Sequence, residues 1–181
     1  MTSQYIDRRE AARRVRTSLG VALAECGMKT LRGGKGWVRR FSESGNGVGV
    51  WIQFANASRA FGLPLSKEAG AVTCVRAEVG VGPVGWEMYS YAALVNTTEL
   101  VPPNMEPRQR SEVRSRAGQV VERLVADSDP AARDASWFAE MRLDGDDSFF
   151  PLADLAAVDF WCERSGPILS RLVNDAFRRS L

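Results

Sequence analysis

Residues 37–58, from Trp37 to Ser58, read WVRRFSESGNGVGVWIQFANAS, and the fold turns on how this stretch divides. In an extended strand successive side chains point to opposite faces, so positions two apart share a face. Trp37, Arg39 and Phe41 fall on one side of a first run, with Val38 and Arg40 on the other. In a second run Val48, Val50, Ile52 and Phe54 form an unbroken apolar row, with Trp51 and Gln53 opposite. Between the runs, Ser44, Gly45, Asn46 and Gly47 supply the positive φ angles that a tight hairpin requires. The stretch is predicted to be a β-hairpin, its Val50/Ile52 face packed on helices and its Trp51 face at least partly wet.

Upstream, residues 4–27 read as a helix. Ala12, Val15, Leu19, Ala22, Leu23 and Cys26 follow the i, i+3, i+4, i+7 spacing of one buried stripe, and Gly27 is placed to end it as a left-handed cap. The Gly-rich LRGGKGW of residues 31–37 has no Gly-Lys-Ser/Thr and is followed by a strand. It is therefore read as a turn, because a phosphate loop needs N–H groups converging at a helix N-terminus.

Downstream, residues 59–70 are read as a loop containing Gly62, Pro64 and Gly70. AVTCVRAEVGV (71–81) is predicted to be a third strand. In residues 86–95, Tyr89, Tyr91, Ala93 and Val95 alternate as a strand would, whereas Trp86, Tyr89, Ala93 and Leu94 equally suit a helix. The strand is taken. Pro102, Pro103 and Pro107 mark 96–110 as a connection. A helix is predicted from Ser111 to about Ala126, and a shorter one after the Asp129-Pro130 start signal. Pro151 to Trp161 reads as a further helix, which Gly166-Pro167 breaks or kinks. A final amphipathic helix carries Ile168, Leu169, Leu172, Val173, Ala176 and Phe177, and ends in Arg178-Arg179.

A chain of 181 residues is near one domain's worth and can bury a core without disulfides or metals. The expected fold is thus α+β: a single domain over 1–181, with an antiparallel β-sheet of three to five strands covered by an N-terminal helix and C-terminal helices. No run of about 18 apolar residues is present, so no membrane span is expected. The N-terminal residues have no apolar core of a signal peptide, which makes the cytoplasm the default. Cys26, Cys74 and Cys162 match neither a disulfide framework nor a zinc pattern and are read as buried free thiols.

Histidine is absent. That removes Ser-His-Asp and Cys-His catalysis and HExxH zinc sites together. Residues 1–60 carry 11 basic and 4 acidic side chains, residues 61–181 carry 13 and 18, and only Lys29, Lys35 and Lys67 are lysines. The arginine bias fits phosphate recognition and, more simply, a GC-rich coding sequence.

The helix running into Cys26-Gly27-Met28, the Trp37-Val38-Arg39-Arg40 run, the Val50–Phe54 strand ending in Ala57-Ser58, Trp137 and the Leu152–Val173 helical pattern give the chain a family likeness. It resembles a bacterial family known only as a domain of unknown function, number 4304. The resemblance implies a small α+β domain and brings with it no activity and no catalytic residues.

Function is expected to be non-catalytic binding of a protein partner, with no cofactor. Trp37, Arg39 and Trp51 are the candidate contact residues, since Trp, Tyr and Arg dominate interface hot spots. The first alternative is nucleic-acid binding through Arg9, Arg13, Arg16 and Arg40, with Trp51 stacking on a base. The second is a carboxylate enzyme holding a hard cation at Asp144, Asp146 and Asp147. The sequence specifies no oligomeric state.

Overall fold

The computed structural model describes residues 5–31, 36–41, 46–83, 95–96, 115, 118–119, 121–123 and 149–179. Helix α1 (Arg8–Glu25) opens on Asp7, whose carboxylate accepts the Arg9 N–H at 3.1 Å while its carbonyl accepts from Ala11. An Asp N-cap satisfies a donor that the first turn leaves unpaired. At the other end Gly27 adopts φ 73°. The Gly27 N–H bonds to the Ala24 carbonyl, and the Met28 N–H reaches back to that of Leu23. These two bonds are the Schellman pattern, and the buried pair Met28 and Leu23 supplies the apolar contact that accompanies it. Along α1 the buried stripe is Ala11, Val15, Leu19, Leu23 and Cys26.

The sheet contains β1 (Lys29–Thr30), β2 (Gly36–Arg40), β3 (Asn46–Asn56), β4 (Thr73–Pro83) and β5 (Val95–Asn96), in that spatial order, with β6 (Phe150–Leu152) paired to the first residues of β4. The predicted hairpin is β2–β3, antiparallel, with Trp37 opposite Val50 and Arg40 opposite Gly47. β1 pairs antiparallel with β2, with Lys29 opposite Val38 and Thr30 opposite Trp37. The α+β class and the antiparallel sheet agree with the sequence reading. Among the described residues no helix is long and apolar enough to cross a membrane.

Contacts group the chain into two compact units, Met1–Ala12 with Phe54–Arg76 and Thr98–Val158, and Arg13–Gln53 with Ala77–Thr97 and Asp159–Leu181. In the first unit, β4 pairs with β6 from Thr73↔Leu152 to Val75↔Phe150. The short helices α2 (Ala57–Phe61) and α3 (Lys67–Ala71) lie between β3 and β4 in the chain. In the second, Val48 and Val50 are fully buried, and Arg39 and Phe41 of the hairpin meet Phe177 of α4 (Leu155–Arg178).

Four expectations are corrected or narrowed. Residues 59–70 are not a plain loop: Ser66 caps α3 by accepting the Ala69 N–H, and Gly62 (φ 64°) ends α2. The Trp51 face is wet only in part: Gln53 is exposed, whereas Trp51 is 4 % exposed and belongs to the core. Alternation tells which residues share a face, not whether that face is covered. Phe150–Leu152 is a strand, and the helix that follows begins after Asp154, whose carboxylate accepts the Ala157 N–H at 2.8 Å. Finally, of the break or kink expected at Gly166-Pro167 the break does not occur, since α4 continues to Arg178. Pro167 and Glu163, whose carbonyl loses its helical donor, are both solvent-exposed, so water can satisfy the freed group.

The predicted helices around 111–126 and after Asp129-Pro130 lie largely or wholly outside the described residues. Ser115, Gly118, Gln119, Val121, Glu122 and Arg123 are helical, as expected. Of the 86–95 stretch only Val95 is described, as strand.

Candidate functional site

The site begins with a pair of strand residues that alternation fixes. Leu31 N–H donates to the Gly36 carbonyl at 2.9 Å, so 31/36 is a hydrogen-bonded pair of the β1–β2 ladder, and 29/38, two residues along, is another. Thr30 lies between them, and its N–H and C=O therefore point away from β2, out of the sheet edge. Among the described residues β1 has no second neighbour in the strand order, and Lys29 and Thr30 are both exposed. The edge is short because Met28 already donates its N–H to Leu23 in the α1 cap.

Lys29 is in register with Val38, and Val38 and Arg40 are two apart, so Lys29, Val38 and Arg40 share a face. Together with Gly27, Thr30, Leu31 and Arg39 they line a groove of about 750 Å³. Among the described residues the lining has three cations, no carboxylate and no aromatic ring. Neither Lys29 nor Arg40 makes an ion pair or hydrogen bond with a described residue. Their charges face solvent and are available to a ligand.

Arg39 differs. Its Nη1 donates to the Cys26 carbonyl at 2.9 Å, and its guanidinium carbon sits 3.5 Å from the centre of the Phe177 ring. The cation lies at the negative end of α1, where the last carbonyls lack helical donors. It packs over Gly27, whose missing side chain would meet Arg39 at 3.5–3.7 Å. Arg39 thus ties α1, β2 and α4 together and contributes field to the groove from its wall.

The other candidates separate. Trp37 and Trp51, each 4 % exposed, are core residues and present no contact surface. Sequence reasoning listed them because a Trp on an alternating strand reads the same whether its face is covered or open. Arg9, Arg13 and Arg16 are exposed on α1 and do not line the groove. Base stacking on Trp51 is not open to a nucleic acid in this fold. Lys29 and Thr30 were missed: a two-residue strand is too short for a periodicity signal, and only pairing with β2 reveals it. The Asp144, Asp146 and Asp147 cluster lies outside the described residues, among which no group of three or more Cys, Asp or Glu side chains is gathered to hold a metal.

The thiols are not nucleophiles poised for chemistry. All three are free and buried. Burial drives the Cys74 thiol pKa far up, and pushes that of Cys162 up to about 11. No family model, curated protein or solved structure matches the chain.

Proposed function

We propose that the protein is a non-catalytic binding module whose partner is a protein presenting an acidic segment to the Lys29–Arg39–Arg40 groove. The observation that carries this reading is the charge of the groove: three cations, two of them unengaged, with no carboxylate among the described lining residues. Complementary charge steers encounter and fixes register more than it adds affinity, so the expected complex is salt-sensitive. A protein partner is favoured over nucleic acid because no described aromatic side chain lines the groove, whereas outward-facing backbone groups do. The reading includes a cytoplasmic, bacterial setting and kinship with the family of unknown function numbered 4304, on the Cys26–Met28, Trp37–Arg40 and Val50–Phe54 residues.

The test is fluorescence anisotropy of a labelled peptide of alternating Glu and Val, titrated with protein at rising NaCl. The reading predicts binding at low salt that falls steeply towards ~0.2 M, and a loss of at least tenfold in the Lys29→Glu/Arg40→Glu double variant. Binding that ignores both salt and this variant would remove the groove as the site.

A further inference from the structure

We infer that the acidic partner binds as an added β-strand on β1, pairing through the backbone of Thr30. This inference rests on the acidic-partner reading above and specifies how the partner is held. Three observations support it. The Leu31 N–H to Gly36 carbonyl bond fixes the phase of the β1–β2 ladder, which turns both Thr30 backbone groups outward. Among the described strands β1 ends the order, and its two residues are exposed, which presents the donor and acceptor to another chain. Finally, Lys29 and Arg40 share one face of the strand pair beside that edge.

An extended partner puts every second side chain on one face. The partner residue opposite Thr30 would therefore exchange N–H···O=C bonds with it, the next residue along would be acidic and meet Lys29, and a second acidic residue two further along the same face would lie on the side of Arg40. Backbone pairing supplies the contact and the side-chain alternation supplies the selectivity, as in other cases of strand addition. Among the described residues of this edge Thr30 alone is placed to pair, because the Met28 N–H is already used in the α1 cap. The partner is accordingly held by one reciprocal backbone pair plus charge, which suits a weak, reversible complex.

The experiment compares three binding curves by anisotropy at low salt. The first is wild-type protein with the alternating Glu/Val peptide. The second is wild-type protein with the same peptide N-methylated at alternate residues, on the edge that would face Thr30. The third is the Thr30→Pro variant with the unmodified peptide. Proline at this position removes the outward N–H and leaves the 29/38 and 31/36 bonds intact.

Strand addition predicts that N-methylation and Thr30→Pro each weaken binding about tenfold, with the salt dependence retained. Equal affinity for both peptides would overturn strand addition and leave the acidic-partner reading standing. Failure of the unmodified peptide to bind at low salt would overturn both. Displacement of the bound peptide by an unlabelled oligo(dT) at lower concentration than unlabelled peptide would overturn them in favour of nucleic acid. The N-methyl comparison uses the wild-type protein alone, so a folding defect in Thr30→Pro cannot mask the result.

Discussion

Glu122 acts across 56 positions of sequence. Its carboxylate accepts the Ser66 N–H and the Ser66 hydroxyl at 2.6 Å, while the same hydroxyl accepts the Ala69 N–H. Together they reproduce the reciprocal arrangement of a capping box with the acid supplied by another segment. The two Ser66 bonds, the hydroxyl's first, hold the Glu122 pKa below its ordinary 4.5. A folded-state pKa below the unfolded one means stability that is present above the ordinary value and is lost as pH falls through the lowered one. Glu122→Gln is therefore expected to lower Tm at pH 7, with the difference from wild type shrinking progressively below about pH 4. Thermal melts across that range check it, and a pH-independent difference would contradict it. At the same scale, burial predicts that Cys74 and Cys162 stay unreactive towards a thiol reagent at pH 8 in the native protein. All three cysteines should react once it is unfolded.

At the scale of elements, two glycines have opposite reasons for being glycine. A Cβ at Gly36 would lie 2.3 Å from the Val50 carbonyl of β3, a backbone atom that cannot swing aside. Gly62 has open space around it but a φ of 64°. Gly36→Ala is expected to cost about 3 kcal/mol through forced strand separation, and Gly62→Ala about 1 kcal/mol through backbone strain alone. Chemical denaturation ranks them. Arg39→Ala should cost about 2 kcal/mol, since it removes a charge-assisted bond to the α1 end and the stacking on Phe177. Arg39→Lys should recover only part, for want of a planar fork.

Elements with a repeating pattern or a chemical punctuation mark were readable in advance. The α1 stripe, its Gly27 end and the β2–β3 hairpin all follow from spacing. Short elements outside the hairpin were not readable. α2, α3, β1 and β6 have too few positions for a period, and their caps and pairings come from distant residues such as Glu122. Pro167 misled because a proline's effect on a helix depends on whether the freed carbonyl reaches water, which composition does not encode.

For the whole molecule, the charge asymmetry visible in the sequence has a structural focus that the sequence did not locate. Among the described residues, the basic side chains of the first third lie on α1, on the β1–β2 edge and, for Arg59, in α2. Among the described residues, unengaged cations, an outward backbone pair and a concave surface coincide at the edge. Of the seven residues picked out in advance, Arg39 and Arg40 line the groove and Trp37 and Trp51 are core. Arg9, Arg13 and Arg16 are on α1. What the reading lacked was the pairing of Lys29 with Val38, a tertiary fact that puts Lys29 and Arg40 on one face.

The most direct measurement is a ¹⁵N-resolved NMR titration of the wild-type protein with the alternating Glu/Val peptide at low salt. The account predicts shifts concentrated at Lys29, Thr30, Leu31, Arg39 and Arg40, with Thr30 the largest and the α1 amides of Arg9, Arg13 and Arg16 unmoved. Shifts centred on those α1 arginines, or none at the β1 edge, would contradict it.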